Sequence, residues 1–373
     1  MLASENRTDV FIVGGGPAGL AAAIAARRKG FSVTVADGAA PPIEKPCGEG
    51  MMPETLAALR DLGVSLPFGV GHPFQGIAFA QTGARVSADF SHGLLATGLR
   101  RTVLNECLVA RAEECGVRLL WKTPVVGIEG SEVRLSRQVI RASWIIGADG
   151  LGSRVRRWSN LDASNVFRCR HATRRHYRLK PWSNYTEAHW SDHVQAYITP
   201  IGREEICVVM LGENPQHASF EHGLSEMPEL KQRLAGAELC SRERGAVTAT
   251  RSLRRIYRDN VALLGDASGS VDAITGEGLR MAFRQAFALA DAMQASDLAQ
   301  YQRAHRRLAR RPMMMGNLLL WLGCNPRIRA RAIRAMQHRP ELFARMLAAH
   351  VGEATPAQLL SAGASLGWNF LAV

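Results

Sequence analysis

The segment Asp9-Val10-Phe11-Ile12-Val13 runs directly into Gly14-Gly15-Gly16-Pro17-Ala18-Gly19, and an alanine-rich stretch follows over residues 20–29. A short apolar run bounded by glycines reads as a strand buried on both faces, and the alanine-rich stretch as a helix laid against it. Residues 31–36 form a second such strand, closed by Asp37. The unit is βαβ with a Gly14-x-Gly16-x-x-Gly19 turn at its first corner, the signature of a dinucleotide-binding α/β sheet. Gly14 permits the tight turn, Gly16 lets the backbone approach a pyrophosphate, and Gly19 lets helix and strand pack closely. The helix start, with Pro17 and Ala18, offers free N–H groups and a positive dipole end to an anion. Asp37 stands where an acidic side chain takes ribose hydroxyls.

Further on, residues 40–53 form a loop rich in Pro and Gly, and residues 54–62 are helical. Residues 75–90 read as a hairpin broken near Thr82-Gly83. An amphipathic helix over 99–115 is capped at Gly116. Strands are expected over 117–121, 125–128 and 139–147, the last ending in Ala148-Asp149-Gly150. The texture then changes. Residues 166–179, 185–191, 194–199 and 206–211 read as antiparallel strands, with Pro200-Ile201-Gly202 as the plainest turn. An apolar strand returns at 261–264, followed by Gly265-Asp266-Ala267-Ser268-Gly269, a helix over 278–293 and an arginine-rich helical tail from Asp297. A dinucleotide-binding fold is thus interrupted by an inserted antiparallel sheet.

At 373 residues the chain is long enough for one large or two medium domains. Its net charge of +13 is concentrated over residues 168–180 and 303–339. Without zinc-finger spacing, a helix-turn-helix signal or an aromatic RNA-binding motif, this charge does not indicate a nucleic-acid partner. The seven cysteines are scattered with no CxxC pair, so no metal site or redox pair is expected, and free thiols fit a reducing cytoplasm. The polar start carries no secretory signal, and no stretch approaches the roughly 20 apolar residues needed to span a bilayer. In the tail, Met313 to Met315, Leu318 to Leu320 and Trp321 lie between arginines. Such a stretch can lie on a membrane, close a greasy cavity or pack on the body of the protein. Packing is the expectation, with peripheral membrane contact the lesser alternative.

Two later segments resemble known motifs. Ser143 to Arg156, around Asp149-Gly150, is similar to the "DG" motif of flavoprotein hydroxylases, and Val261 to Gly269, around Gly265-Asp266, to their "GD" motif. Arg101-x-x-Leu104-x-x-x-Leu108 resembles the helix whose arginine reaches the cofactor phosphates in that family. Lys45-Pro46-Cys47-Gly48-Glu49-Gly50 and Thr275-Gly276-Glu277-Gly278-Leu279 are similar to the geranylgeranyl-reductase-like branch. The chain is identified on these residues as a member of the group A flavoprotein monooxygenase and geranylgeranyl-reductase-like superfamily.

The resemblance implies a Rossmann-like FAD-binding domain over 8–74, 97–165 and 245–296, an inserted antiparallel substrate sheet over 75–96 and 166–244, and a helical C-terminal region over 297–373. It implies that Asp266 binds the ribityl chain, that Asp149 and Gly150 lie near the pyrophosphate and the NAD(P)H path, and that Lys45 and Cys47 lie by the flavin. Gly276, Gly278 and Leu279 would let backbone N–H groups and a helix end approach the flavin ring.

NAD(P)H is implied as a transient co-substrate, since no second GxGxxG follows a strand. Reduced flavin would then meet dioxygen, hydroxylating a small molecule through a C4a-hydroperoxide, or pass hydride to an alkene. The complete DG motif favours a monooxygenase acting on an aromatic or polyketide-like, hydrophobic substrate. The alternatives are a reductase of an isoprenoid or unsaturated lipid, and an electron-transfer flavoprotein. The prenyl reductases' YxWxFP signature is altered here to Gln195-Ala196-Tyr197-Ile198-Thr199-Pro200, and the halogenases' WxWxIP is absent. His171, His176, His189 and His193 are candidates for orienting or deprotonating a phenol.

Overall fold

The computed structural model describes residues 6–352. The first strand, Arg7–Val13, is at the centre of a twisted sheet, and Val10, Phe11 and Ile12 are fully buried. It pairs in parallel with Val139–Gly147 on one side and Val33–Ala36 on the other. Val261–Leu263 and Arg118–Leu120 extend the parallel core outward. The sheet therefore collects strands from the start, the middle and the last third of the described chain. The helix Pro17–Arg28 crosses it, with Pro17 at the first helical position, where the missing N–H costs nothing. Its alanines let it sit close between the helices Arg101–Glu114 and Gly278–Gln294.

A second, largely antiparallel sheet follows the order Glu238–Leu239, Ser164–Arg178, Glu205–Gly212, Val194–Gly202, Tyr185–Trp190, Gly76–Gln81 and Ala84–Asp89. The early hairpin turns at Thr82-Gly83 as expected and joins this sheet through a parallel pairing with Tyr185–Trp190. Arg244–Leu253 also belongs here, pairing along Ser164–Arg178. The expected turn at Pro200-Ile201-Gly202 is instead strand: Val194–Gly202 continues, and the chain reverses at Arg203-Glu204, with Gly202 opposite Glu205. The pairing partner, rather than the local Pro and Gly, sets that boundary.

Three helices, Leu298–Gly323, Pro326–His338 and Pro340–Val351, complete the described structure. The expected tail beyond residue 352 lies outside the described residues. The first of these helices is fastened to the body by Tyr301 Oη, which donates to the Leu263 carbonyl at 2.8 Å, and by His305 against Ser268 Oγ at 2.9 Å. Burial lowers the His305 pKa to about 4, so the ring is neutral at ordinary pH. No helix among the described residues is long and apolar enough to cross a membrane.

Candidate active site

The two sheets and the C-terminal helices enclose a cavity of about 380 Å³. One end is the glycine turn. A Cβ on Gly14 would lie 2.5 Å from the Ala148 carbonyl oxygen and one on Gly19 1.8 Å from the Gly14 oxygen, whereas one on Gly16 would meet nothing within 4 Å. Gly14, at φ +110°, and Gly19 therefore serve packing, and Gly16 faces open space. Gly15, treated above as a free position, is also obligatory: its Cβ would fall 2.2 Å from the Trp121 ring. Asp37 accepts a hydrogen bond from the Gly15 amide at 2.7 Å and from Ala39 at 2.8 Å, which fixes the turn.

Of the other sequence candidates, Pro17, Ala18, Lys45, Cys47, Arg101, Gly150, Gly265, Asp266, Gly276, Gly278 and Leu279 line the same cavity as Gly16. Asp149 does not line it. Its carboxylate accepts from Ser153 Oγ at 2.5 Å and from the Arg154 and Val155 amides at 2.6 and 3.1 Å, capping the Arg154–Trp158 helix. Arg156, buried, donates to Asp162, Leu151 O and Ala267 O, tying this turn to the Gly265-Asp266 segment.

The Asp266 carboxylate makes no hydrogen bond or ion pair among the described residues; its backbone carbonyl accepts from the Gly269 amide at 3.4 Å. Its carboxylate opens into the cavity yet is surrounded by protein, and that loss of bulk solvent raises its pKa against the opposing charges of Lys45 and Arg101. Arg101 Nε is buried without a hydrogen-bond partner. A free carboxylate, a free guanidinium nitrogen and an open glycine turn at a helix N-terminus together suit a ligand bearing phosphates and hydroxyls.

Glu49, in the loop with Lys45 and Cys47, was not singled out from sequence. It is 3% exposed and held at φ +59°. His176 Nε2 lies 2.7 Å from one carboxylate oxygen; Arg174 and the Arg101 amide donate to the other at 3.2 and 3.0 Å. Burial raises its pKa, but His176, the Arg101 amide and Arg174 together outweigh this and hold it below the ordinary carboxylate range. Cys207 completes a trio with Glu49 and His176 at metal-ligand spacing. Arg174 already contacts both Glu49 and His176, so the carboxylate is charge-balanced by a guanidinium, an arrangement that suits an ion pair rather than a cation site. The Cys207 thiol donates to the Cys47 carbonyl at 3.6 Å, so the network reaches the cavity wall.

The far end of the cavity is mainly apolar, built by Val209 and Leu211 of the second sheet and by Met315, Leu319, Phe343 and Met346 of the C-terminal helices. Its acids are neutralised internally. Asp272 is paired with Arg170 at 3.1 Å, Glu277 with Arg280, and Glu187 with Arg85 at 3.1 Å and His189 at 2.8 Å. The Tyr197 hydroxyl is 3.5 Å from the Ile274 carbonyl, and burial raises its pKa. None of the four histidines proposed for phenol chemistry lines the cavity. His176 and His189 are engaged with Glu49 and Glu187, and His193 stacks on His217 at the surface. His350 does line it, but donates to the Thr275 carbonyl at 2.8 Å, and burial lowers its pKa.

A protein family described as FAD binding domain matches residues 7–305. The chain is 26% identical over 326 residues to a menaquinone reductase of Mycobacterium tuberculosis, covering 79% of this chain and 78% of that one. It is 28% identical over 297 residues to digeranylgeranylglycerophospholipid reductase 1 of Methanopyrus kandleri, covering 74% and 77%. Among solved structures, the flavin-dependent brominase Bmp2 superposes with a TM-score of 0.81 at 19% identity, covering 97% of this chain and 99% of that one, a likeness of fold.

Proposed function

This chain belongs to the FAD-binding domain family, and from that membership we propose that it reduces carbon–carbon double bonds in a long, apolar, isoprenoid-like substrate. The observation that carries the reading is the far end of the cavity: an apolar wall whose acids are paired and whose lining histidine, His350, is engaged with a backbone carbonyl. Such a wall suits a hydrocarbon chain, while hydroxylation of a phenol calls for a free base to ionise it. Both sequence relatives named above are reductases, and one is named for a lipid with isoprenoid chains.

In this reading the N-terminus of Pro17–Arg28, Gly16 and Arg101 hold the FAD pyrophosphate, and Asp37 the adenosine ribose. Asp266 holds the ribityl hydroxyls, and the N-terminus of Gly278–Gln294, entered through Gly276, faces the flavin ring. FAD supplies two-electron chemistry when bound; the protein binds and orients it, excludes water and presents the alkene. Saturating one double bond takes up two electrons and two protons, for which NAD(P)H is the proposed reductant.

Anaerobic titration of the FAD-loaded protein tests this. The flavin absorbance should bleach with NADPH, NADH or dithionite and return when a polyisoprenoid alkene is added without oxygen. A reduced flavin that ignores the alkene but reoxidises rapidly with air, yielding a hydroxylated aromatic product, would return the reading to a monooxygenase.

A further inference from the structure

The helix Leu298–Gly323 has apolar side chains on two sides. Met315 and Leu319 point inward and line the cavity. One position round from each, Met314 and Leu318 are 52% and 40% exposed, and Trp321 is 50% exposed. Spacings of four and three place 314, 318 and 321 on one stripe. The stripe continues toward the helix start as Arg310, Arg307 and Arg303, all exposed. Single exposed apolar side chains are ordinary; three in line on the outer face of a cavity wall are not. The next helix, Pro326–His338, buries Ala332, Ile333 and Met336 and exposes Arg327, Arg331 and Arg334.

Charge follows the same pattern. Between residues 298 and 340 the chain carries ten arginines and no Asp or Glu, against a net +13 overall. Arg311 and Arg329 turn to Glu54 and Asp192, at 3.0 and 3.4 Å. Arg307, Arg310, Arg327, Arg331 and Arg334 make no ion pair among the described residues. An apolar stripe is thus bracketed by uncompensated arginines at both ends.

We infer that this face docks on an anionic lipid bilayer, with Met314, Leu318 and Trp321 entering the acyl boundary and the arginines meeting headgroup phosphates. An acidic protein would answer the arginines without giving the apolar stripe a layer to enter. A bilayer answers both, and it sets the leaflet one helix width from the cavity, so an apolar substrate passes from lipid to site around a single element. The inference deepens the proposed function by naming where its substrate is drawn from, and its binding test does not depend on catalysis.

The test is sedimentation of the FAD-loaded protein with phosphatidylcholine vesicles, with and without phosphatidylglycerol. Binding should require phosphatidylglycerol and weaken with salt. The triple variant R307Q/R310Q/R331Q should bind roughly a hundredfold more weakly. L318S/W321S should bind at least about tenfold more weakly. Brominated acyl chains should quench wild-type tryptophan fluorescence but not that of Trp321→Phe. An unchanged flavin spectrum in each variant reports an intact fold. Wild-type protein that stays in solution with both vesicles, binding that neither variant set alters, or dimerisation through the stripe without vesicle binding would overturn the inference. So would capture by polyglutamate alone. Vesicle binding with no turnover of detergent-dispersed alkene would instead count against the proposed function and leave the docking face standing.

Discussion

Glu49 combines two costs that a chain seldom combines: a left-handed backbone at φ +59° and a fully buried carboxylate. The carboxylate is offset by His176 and Arg174, and the backbone is not. Glu49→Gly, which loses the ion pair but relaxes the backbone, should therefore unfold at a higher denaturant midpoint than Glu49→Ala, corresponding to about 1 kcal/mol of unfolding free energy. Equal midpoints would show the strain is absent. Glu187 makes a prediction in pH. Burial raises its pKa, but His189, Trp182 and Arg85 overcome this and bring it from 4.5 to about 2. A depressed folded pKa means the unfolded chain takes up the proton first, so the contribution is complete above pH 4.5 and is lost as pH falls toward 2. Between these limits Glu187→Gln should flatten the acid loss of stability by roughly 3 kcal/mol, read from urea unfolding at each pH. For Asp266, whose carboxylate has no partner among the described residues and faces the cavity, Asp266→Ala should weaken FAD binding more than about tenfold with little change in Tm; a variant that purifies with full flavin absorbance would remove it from the site.

At the scale of elements, the strand–turn–helix at the start separates glycines required by packing from Gly16, which faces open space and is proposed to bind. Gly19→Ala drives a methyl onto the Gly14 oxygen at 1.8 Å and should cost about 3 kcal/mol or more in urea. Gly16→Ala has space, so it should leave Tm nearly unchanged while FAD affinity drops, read by fluorescence titration. Similar losses of stability in both would show that Gly16 packs rather than binds. This element was legible because every part of its signal lies within thirty-odd residues and obeys one spacing. Arg244–Leu253 was not read as part of the second sheet, since its alternation is mixed and its strand character comes from pairing with Ser164–Arg178 far back in the chain. Glu132–Leu135, Phe220–Ser225 and Pro228–Leu234 are short, and nothing periodic accumulates over so few residues.

The whole molecule places an inserted sheet and three terminal helices over a dinucleotide-binding core, and the reaction is proposed where the three meet. The end of that cavity proposed to hold FAD was largely legible as a grouping of residues, because its motifs are local. The Glu49–His176 contact spans 127 residues, and the apolar wall joins Val209 to Phe343, so no window of sequence displays either. None of the histidines that sequence suggested for catalysis lines the cavity; His176 and His189 face Glu49 and Glu187 and His193 is exposed, since alternation along a strand does not say which sheet face meets the cavity. If the wall holds a long chain, Leu319→Trp should leave FAD binding and flavin reduction intact and lower turnover of a long alkene at least about tenfold, with less effect on a short one. The central claim is tested most directly by mass analysis of the product formed when the reduced, FAD-loaded protein meets a polyisoprenoid alkene under argon and under air. The account predicts a gain of two hydrogens per reacted double bond under argon, with no oxygen incorporated under air. A product formed only under air and heavier by one oxygen atom would contradict it.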